Sequence, residues 1–167
     1  IDITLLQCVS KGDRMDYAIQ KATELDVTTI IPVISEYTAF NLKEDRWEKK
    51  LNHWRSVVIS ACEQCGRNDI PAIKEPVTIK QQLASSMHGT KLILDPVSDS
   101  NLSCIKPADS NFYLLVGPEG GLSDNEIINA KESGFSGIKL GQRILRTETA
   151  AIAGITAIQT LWGDFKS

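Results

Sequence analysis

Short runs rich in leucine and β-branched residues alternate along the whole chain with stretches of helical periodicity, and this alternation narrows the fold more than any other property. "ITLLQCV" reads as a buried strand, and "TTIIPVIS" as a second. Between them, in "GDRMDYAIQKATELD", Met15, Ala18, Ile19, Ala22 and Leu25 recur at helical spacing, with Asp13 placed to cap the helix. A long helix is predicted over 44–65, with Trp47, Leu51, Trp54, Val58, Ala61, Cys62 and Cys65 on its apolar side and Lys49, Lys50 and Arg55 on a solvated one. "PAIKEPV" is a short extended piece, 79–86 a short helix, "TKLILDP" a strand stopped by Pro96, and 97–110 a loop. "NFYLLVGPEGG" is a strand running into glycines. Ser123 and Glu126 form a capping box, and Gly134 ends the helix that follows. "SGIKL" is a last strand and 147–162 a last helix. Strands separated by helices define an α/β fold, a mostly parallel sheet with helices on both faces.

The 167 residues suit one domain, read over 1–167, and a hydrophobic share of 42% supplies its core. The net charge is −3, a poor footprint for gripping nucleic acid by charge alone, so an RNA role needs a local patch, a partner chain or a further segment. The first residue is Ile1, in what reads as a strand already under way, so the chain is expected to be a fragment. No apolar run approaches transmembrane length, and no signal peptide is evident. The "CEQC" pair has no second pair and no histidines at zinc-ligand spacing, so no metal is expected; buried reduced thiols are the plain reading, a redox pair the other.

In parallel sheets ligands bind where strands end, and three strand ends are suggestive: "LDP" at 94–96, "GPEGG" at 117–121 and "LGQRILR" at 140–146. The second is no phosphate cradle, since it lacks the G-x-G-x-x-G and GK[ST] patterns and Glu119 would repel a phosphate. A glutamate there suits a ligand with a positive group or hydroxyls, or else the segment is a plain turn. In the third, Leu140, Ile144 and Leu145 could form an apolar slot for a flat ring, and Arg143 and Arg146 could hold a phosphate or an anionic intermediate. Thr147 and Glu148 suit the start of a helix, Thr147 as its cap.

"LLVGPEGGLSDNE" followed by "LGQRILRTETAAIAGI" resembles the SPOUT methyltransferases that modify uridine N3 in small-subunit (16S) ribosomal RNA. "KGDRMDYAIQKATELDV", "IIPVISE" and "ACEQCGRNDIP" extend the likeness over nearly the whole chain. The chain departs from the family in having Asp26 where members commonly have Gly, and Tyr37 where many have Arg. The resemblance implies a SPOUT fold whose C-terminal part is a deep trefoil knot, a homodimer built on the last helix, a cytoplasmic location, and an N-terminal PUA-like RNA-binding domain absent from this chain. It implies S-adenosylmethionine as cofactor, held by Leu94 from the first loop; Leu115, Gly117, Glu119 and Gly120 from the second; and Leu140, Gly141, Ile144, Leu145 and Thr149 from the third. It implies 16S ribosomal RNA of the small subunit as substrate. The N3–H must lose its proton for N3 to attack, so Arg146 and Arg67 are expected to supply a positive field, and Glu63 to orient an arginine or take the proton. Glu63 and Arg67 also sit at i,i+4, where a simple helix salt bridge is the alternative. A SPOUT enzyme with another RNA target and a non-catalytic cofactor- or RNA-binding module remain the rival functions.

Overall fold

The computed structural model describes residues 1–38 and 44–166. Among them, β1 (Asp2–Cys8), β2 (Thr29–Ile34), β3 (Ala72–Ile73), β4 (Val77–Thr78), β5 (Thr90–Leu94), β6 (Asn111–Val116) and β7 (Ser136–Ile138) form one sheet. Its order is β3-β2-β1-β6-β5-β7, with β4 also pairing with β2. The sequence suggests a mostly parallel sheet; every observed pairing is parallel, because no two paired strands are joined by a tight hairpin.

The helices are α1 (Asp13–Glu24), α2 (Glu44–Cys65), α3 (Ile79–Ala84), α4 (Asp124–Glu132) and α5 (Thr147–Trp162). Strand alternation sorts them onto two faces. Ile3, Leu5, Ile30, Phe112, Leu114 and Val116 pack with Met15 and Ile19 of α1, Trp54 and Val58 of α2, and Ile155 and Ile158 of α5. Leu6, Val33, Ile93 and Leu115 face the other way, toward Ile79 of α3 and Ala130 of α4. Gly154 lets α5 settle on the sheet: a Cβ there would lie 2.9 Å from Leu114 Cδ2.

Helix ends follow local chemistry, with two differences from the sequence reading. Ser123 and Glu126 make the expected capping box, and Gly134 follows α4 at φ +93°. Glu126 does more, because its Oε1 accepts from the Glu36 backbone N–H at 2.6 Å and tethers the loop after β2. Asp13 is not the cap of α1. Gly12 precedes the helix at φ +58°, a turn that makes Asp13 the first helical residue, without a side-chain cap. Thr147 does not cap α5 either, since Arg146 occupies that position and the Thr147 hydroxyl is engaged elsewhere. Asp26 does take the left-handed conformation expected of a Gly substitute, at φ +62°. Burial pushes the Cys62 thiol up, and Cys62 is a free thiol beside an exposed Cys65, which disfavours the redox reading of "CEQC". No described helix is long and apolar enough to cross a membrane.

Arg67 latches the end of the sheet where β2 begins. Its guanidinium donates to the backbone carbonyls of Thr23 and Val27 at 2.9 and 3.0 Å, and pairs with Asp26 at 3.4 Å and Asp69 at 2.6 Å. It thereby ties the end of α2 to the α1–β2 turn. Arg67→Ala is expected to lower unfolding stability by about 2–3 kcal/mol through the lost donor to the Val27 carbonyl, the Thr23 carbonyl left with only the long Asp26 N–H bond, and the lost pairs with Asp26 and Asp69, measured by urea denaturation, while leaving small-ligand binding at the far end of the sheet unchanged.

Candidate active site

The loops after β5, β6 and β7 enclose a cavity of about 620 Å3 at the C-terminal ends of these strands. That is a size typical of small-molecule sites.

The first loop is fixed by Asp95, which is buried. Its Oδ2 accepts from Lys131 Nζ at 2.9 Å, and its Oδ1 from the Val97 N–H at 3.2 Å. Leu94 joins the cavity wall, and Val97 stands 83% exposed at its mouth. The second loop turns on a Gly121 N–H to Pro118 carbonyl bond of 2.9 Å. Gly117 lines the cavity with no spare room: a Cβ there would meet Leu122 Cγ at 3.1 Å. Glu119 lines it too, but its Oε1 accepts from the Lys11 N–H at 2.8 Å and faces Arg14 at 3.3 Å, so it anchors the β1–α1 loop. In the third loop Gly141 adopts φ +76°. Leu140 and Leu145 are half-buried in the wall, while Arg143, Arg146 and Ile144, 87% exposed, form the rim.

A buried hydrogen-bond chain underlies the site. Gln7 Nε2 donates to Thr147 Oγ1 at 2.9 Å, and the Thr147 hydroxyl donates to the Gly117 carbonyl at 2.6 Å. One hydroxyl therefore joins β1, the glycine loop and the start of α5.

Of the expected site residues, the structure gathers Leu94, Gly117, Glu119, Leu140, Gly141, Ile144, Leu145 and Arg146 around the cavity. It does not bring five others there. Leu115 lies on the opposite face of the sheet, because successive strand residues alternate and its neighbours Leu114 and Val116 take the α5 side. Gly120 turns toward Tyr37, whose Cβ would be 3.2 Å from a Cβ at Gly120. Tyr37 is half exposed beside that loop. Thr149 is exposed; two residues after the buried Thr147, it points to the other side of α5. Arg67 and Glu63 sit toward the opposite end of the sheet. Arg67 is committed to Thr23, Val27, Asp26 and Asp69 rather than to Glu63, and Glu63 is an exposed residue of α2. Sequence reasoning missed Asp95, Lys139, Glu148 and Gln7. For Gln7 a signal exists, since it is the polar residue inside the apolar run "ITLLQCV".

Such a site has apolar walls for a flat ring, a carbonyl and amide edge from the glycine turns, and a cationic rim. It can hold a ring-bearing small molecule in its depth and an anionic polymer at its mouth. These features and the sheet define a class: the chain belongs to the RNA methyltransferase domain family, which it matches over residues 1–159. It is 45% identical over 163 residues to the ribosomal RNA small subunit methyltransferase E of Buchnera aphidicola from Schizaphis graminum, an alignment covering 97% of this chain and 66% of that protein. The crystal structure of a ribosomal RNA small subunit methyltransferase E from Neisseria gonorrhoeae bound to S-adenosyl methionine superposes with a TM-score of 0.92 at 45% identity, over 99% of this chain and 68% of that one. A Legionella pneumophila protein solved in complex with the bound cofactor SAM superposes at 0.93 with 39% identity, over 96% and 66%. The chain thus spans about two thirds of the length of these relatives.

Thr147→Val, which keeps shape but removes the hydroxyl, is expected to cost about 2 kcal/mol of stability by taking the Thr147 donor from the Gly117 carbonyl and leaving Gln7 Nε2 with the Cys8 carbonyl alone. Thr147→Ser should restore most of it in the same thermal or urea melts.

Proposed function

We propose that this domain holds S-adenosylmethionine in the three-loop cavity and methylates N3 of a uridine in 16S ribosomal RNA of the small ribosomal subunit, in the cytoplasm. The observation that carries the reading is the cavity itself, with apolar walls from Leu94, Leu140 and Leu145, a glycine at 117 where a side chain would crowd Leu122, and the exposed cations Arg143 and Arg146 at the rim. The relative from Neisseria gonorrhoeae, bound to S-adenosyl methionine, supports the cofactor, and the shared name of the relatives supports the substrate.

When bound, the cofactor supplies an electrophilic methyl group. The chain's own residues do the rest. Leu140 and Leu145 exclude water from the ring, and the Gly117 and Gly141 turns bring backbone amides and carbonyls to its edge. Uridine N3, a weak acid, becomes nucleophilic when its proton passes to solvent at the open mouth of the cavity, and Arg146 at the rim stabilises the resulting anion on the base. Arg143 beside it suits the RNA phosphates. Positioning the base against the methyl group supplies much of the acceleration. The path from β7, at the sheet edge, through residues 139–146 and back to α5 over β1 and β6 is assigned to a trefoil knot in this reading.

Calorimetry on this chain should detect S-adenosylmethionine binding, and Gly117→Val should abolish it. Arg146→Ala should retain most cofactor affinity while losing methylation of small subunits at least about a hundredfold. Absence of wild-type binding to a folded domain would refute the cofactor, and equal loss of binding and turnover would move Arg146 into the cofactor site.

The same reading makes the protein a homodimer. One side of α5 is buried on the sheet through Ala151, Gly154, Ile155 and Ile158, with Ala157 also against the core; Ile152 and Ala153 are half-buried away from it beside Thr149, Thr156 and Thr160, and Leu161 and Phe165 are exposed at the end. A helix that keeps Ile152, Ala153 and Leu161 away from its own sheet, with only small threonines between them, suits close approach of a second copy. Sedimentation equilibrium at micromolar concentration should give twice the 18.4 kDa chain mass; a clean monomer removes the dimer.

A further inference from the structure

Two buried acceptors at the start of α5 lack donors. Among the described residues, Gln7 Oε1 and Glu148 Oε2 are shielded from solvent and meet no hydrogen-bond partner. Gln7 holds Thr147, and Glu148 is the next residue along the chain. Glu148 also lines the cavity. An amide oxygen left this way is a modest penalty; a carboxylate oxygen out of water is a larger one unless a cation or donor meets it.

The other acids at the cavity are differently placed. Asp95 is held by Lys131 and the Val97 N–H, and Glu119 by the Lys11 N–H and Arg14. Asp124 is exposed at the first position of α4. Glu119, the residue that the sequence marks as the partner of a positive group, is therefore already engaged. Glu148 has a buried oxygen still to be met.

We infer that Glu148 receives the positive charge of the bound ligand, the sulfonium or the α-ammonium of S-adenosylmethionine. The inference rests on the cofactor reading above. It assigns to this chain a residue that discriminates the charged cofactor from neutral adenosine derivatives. The rival is a purely local role. Glu148 lies in the first turn of α5, where a carboxylate interacts favourably with the helix dipole. That role confers stability but no preference among ligands.

Calorimetry on the chain and its Glu148→Gln variant separates the two with three probes. S-adenosylmethionine carries both charges, S-adenosylhomocysteine only the ammonium, and 5′-methylthioadenosine neither. Glu148→Gln is expected to weaken S-adenosylmethionine about tenfold or more, and 5′-methylthioadenosine by less than about twofold. A parallel loss for S-adenosylhomocysteine places the ammonium at Glu148; an unchanged S-adenosylhomocysteine places the sulfonium there. Equal loss for all three probes, or loss for none, overturns the inference. If the Gln variant does not fold, Glu148→Asp, which keeps the charge but withdraws it, should give the same pattern at smaller amplitude, and a flat pattern overturns the inference equally. Wild-type chain that is folded yet binds none of the three refutes the cofactor reading, and the role of Glu148 with it.

Discussion

The Thr147 hydroxyl joins parts of the molecule that chain order keeps far apart. It takes a hydrogen bond from Gln7, 140 residues earlier, and gives one to the Gly117 carbonyl. Both partners are in or beside the sheet, so the first residue of α5 is fixed to β1 and to the loop after β6 at once. The cavity depends on that fixation. Its third wall leads directly into Thr147, and its second begins at Gly117. Buried polar groups without partners are costly, so this arrangement tolerates few alternatives and holds both walls in one geometry.

Polar contacts at the two ends of the sheet have different roles. At the end where β2 begins, Arg67 closes a knot of backbone carbonyls and acids and leaves no obvious room for a ligand. At the other end the acids Asp95, Glu119 and Glu126 each fasten a loop, while the arginines Arg143 and Arg146 stay exposed. The apolar core between them is continuous on each face of the sheet. The loops at that end are thus braced by acids, and the exposed arginines stand on the rim of the cavity they enclose.

Much of this was legible in the sequence because it follows from short-range rules. Helical spacing set 147–162 to the residue, Ser123 and Glu126 announced α4, and Asp26 signalled a left-handed turn. The three loops that line the cavity were legible because glycines and Pro96 interrupt apolar strands. The illegible part was direction and partnership. Leu115 looks no different from Leu114 until the pleat assigns faces, and Gly120 looks no different from Gly117 until Tyr37 is found against it. Arg67 carries the charge that catalysis would want, but its partners Thr23 and Val27 lie 44 and 40 residues back, beyond any local pattern. Glu119 and Glu148 could be told apart only once Lys11 and Arg14 were seen beside the first.

The position of α5 has a consequence for the growing polypeptide. The seven described strands are complete once Ile138 has been made, yet α5, which packs on the face of Leu5 and Leu114, follows them. A nascent chain, or one cut short by a premature stop near residue 140, would own the described strands and still leave uncovered the part of the β1 and β6 face that α1 and α2 do not reach, an exposed apolar surface. Such a surface invites aggregation or chaperone capture. Docking of α5 therefore covers this face and seats the residues that lead into it at the cavity, so a copy that lacks it has an incomplete site.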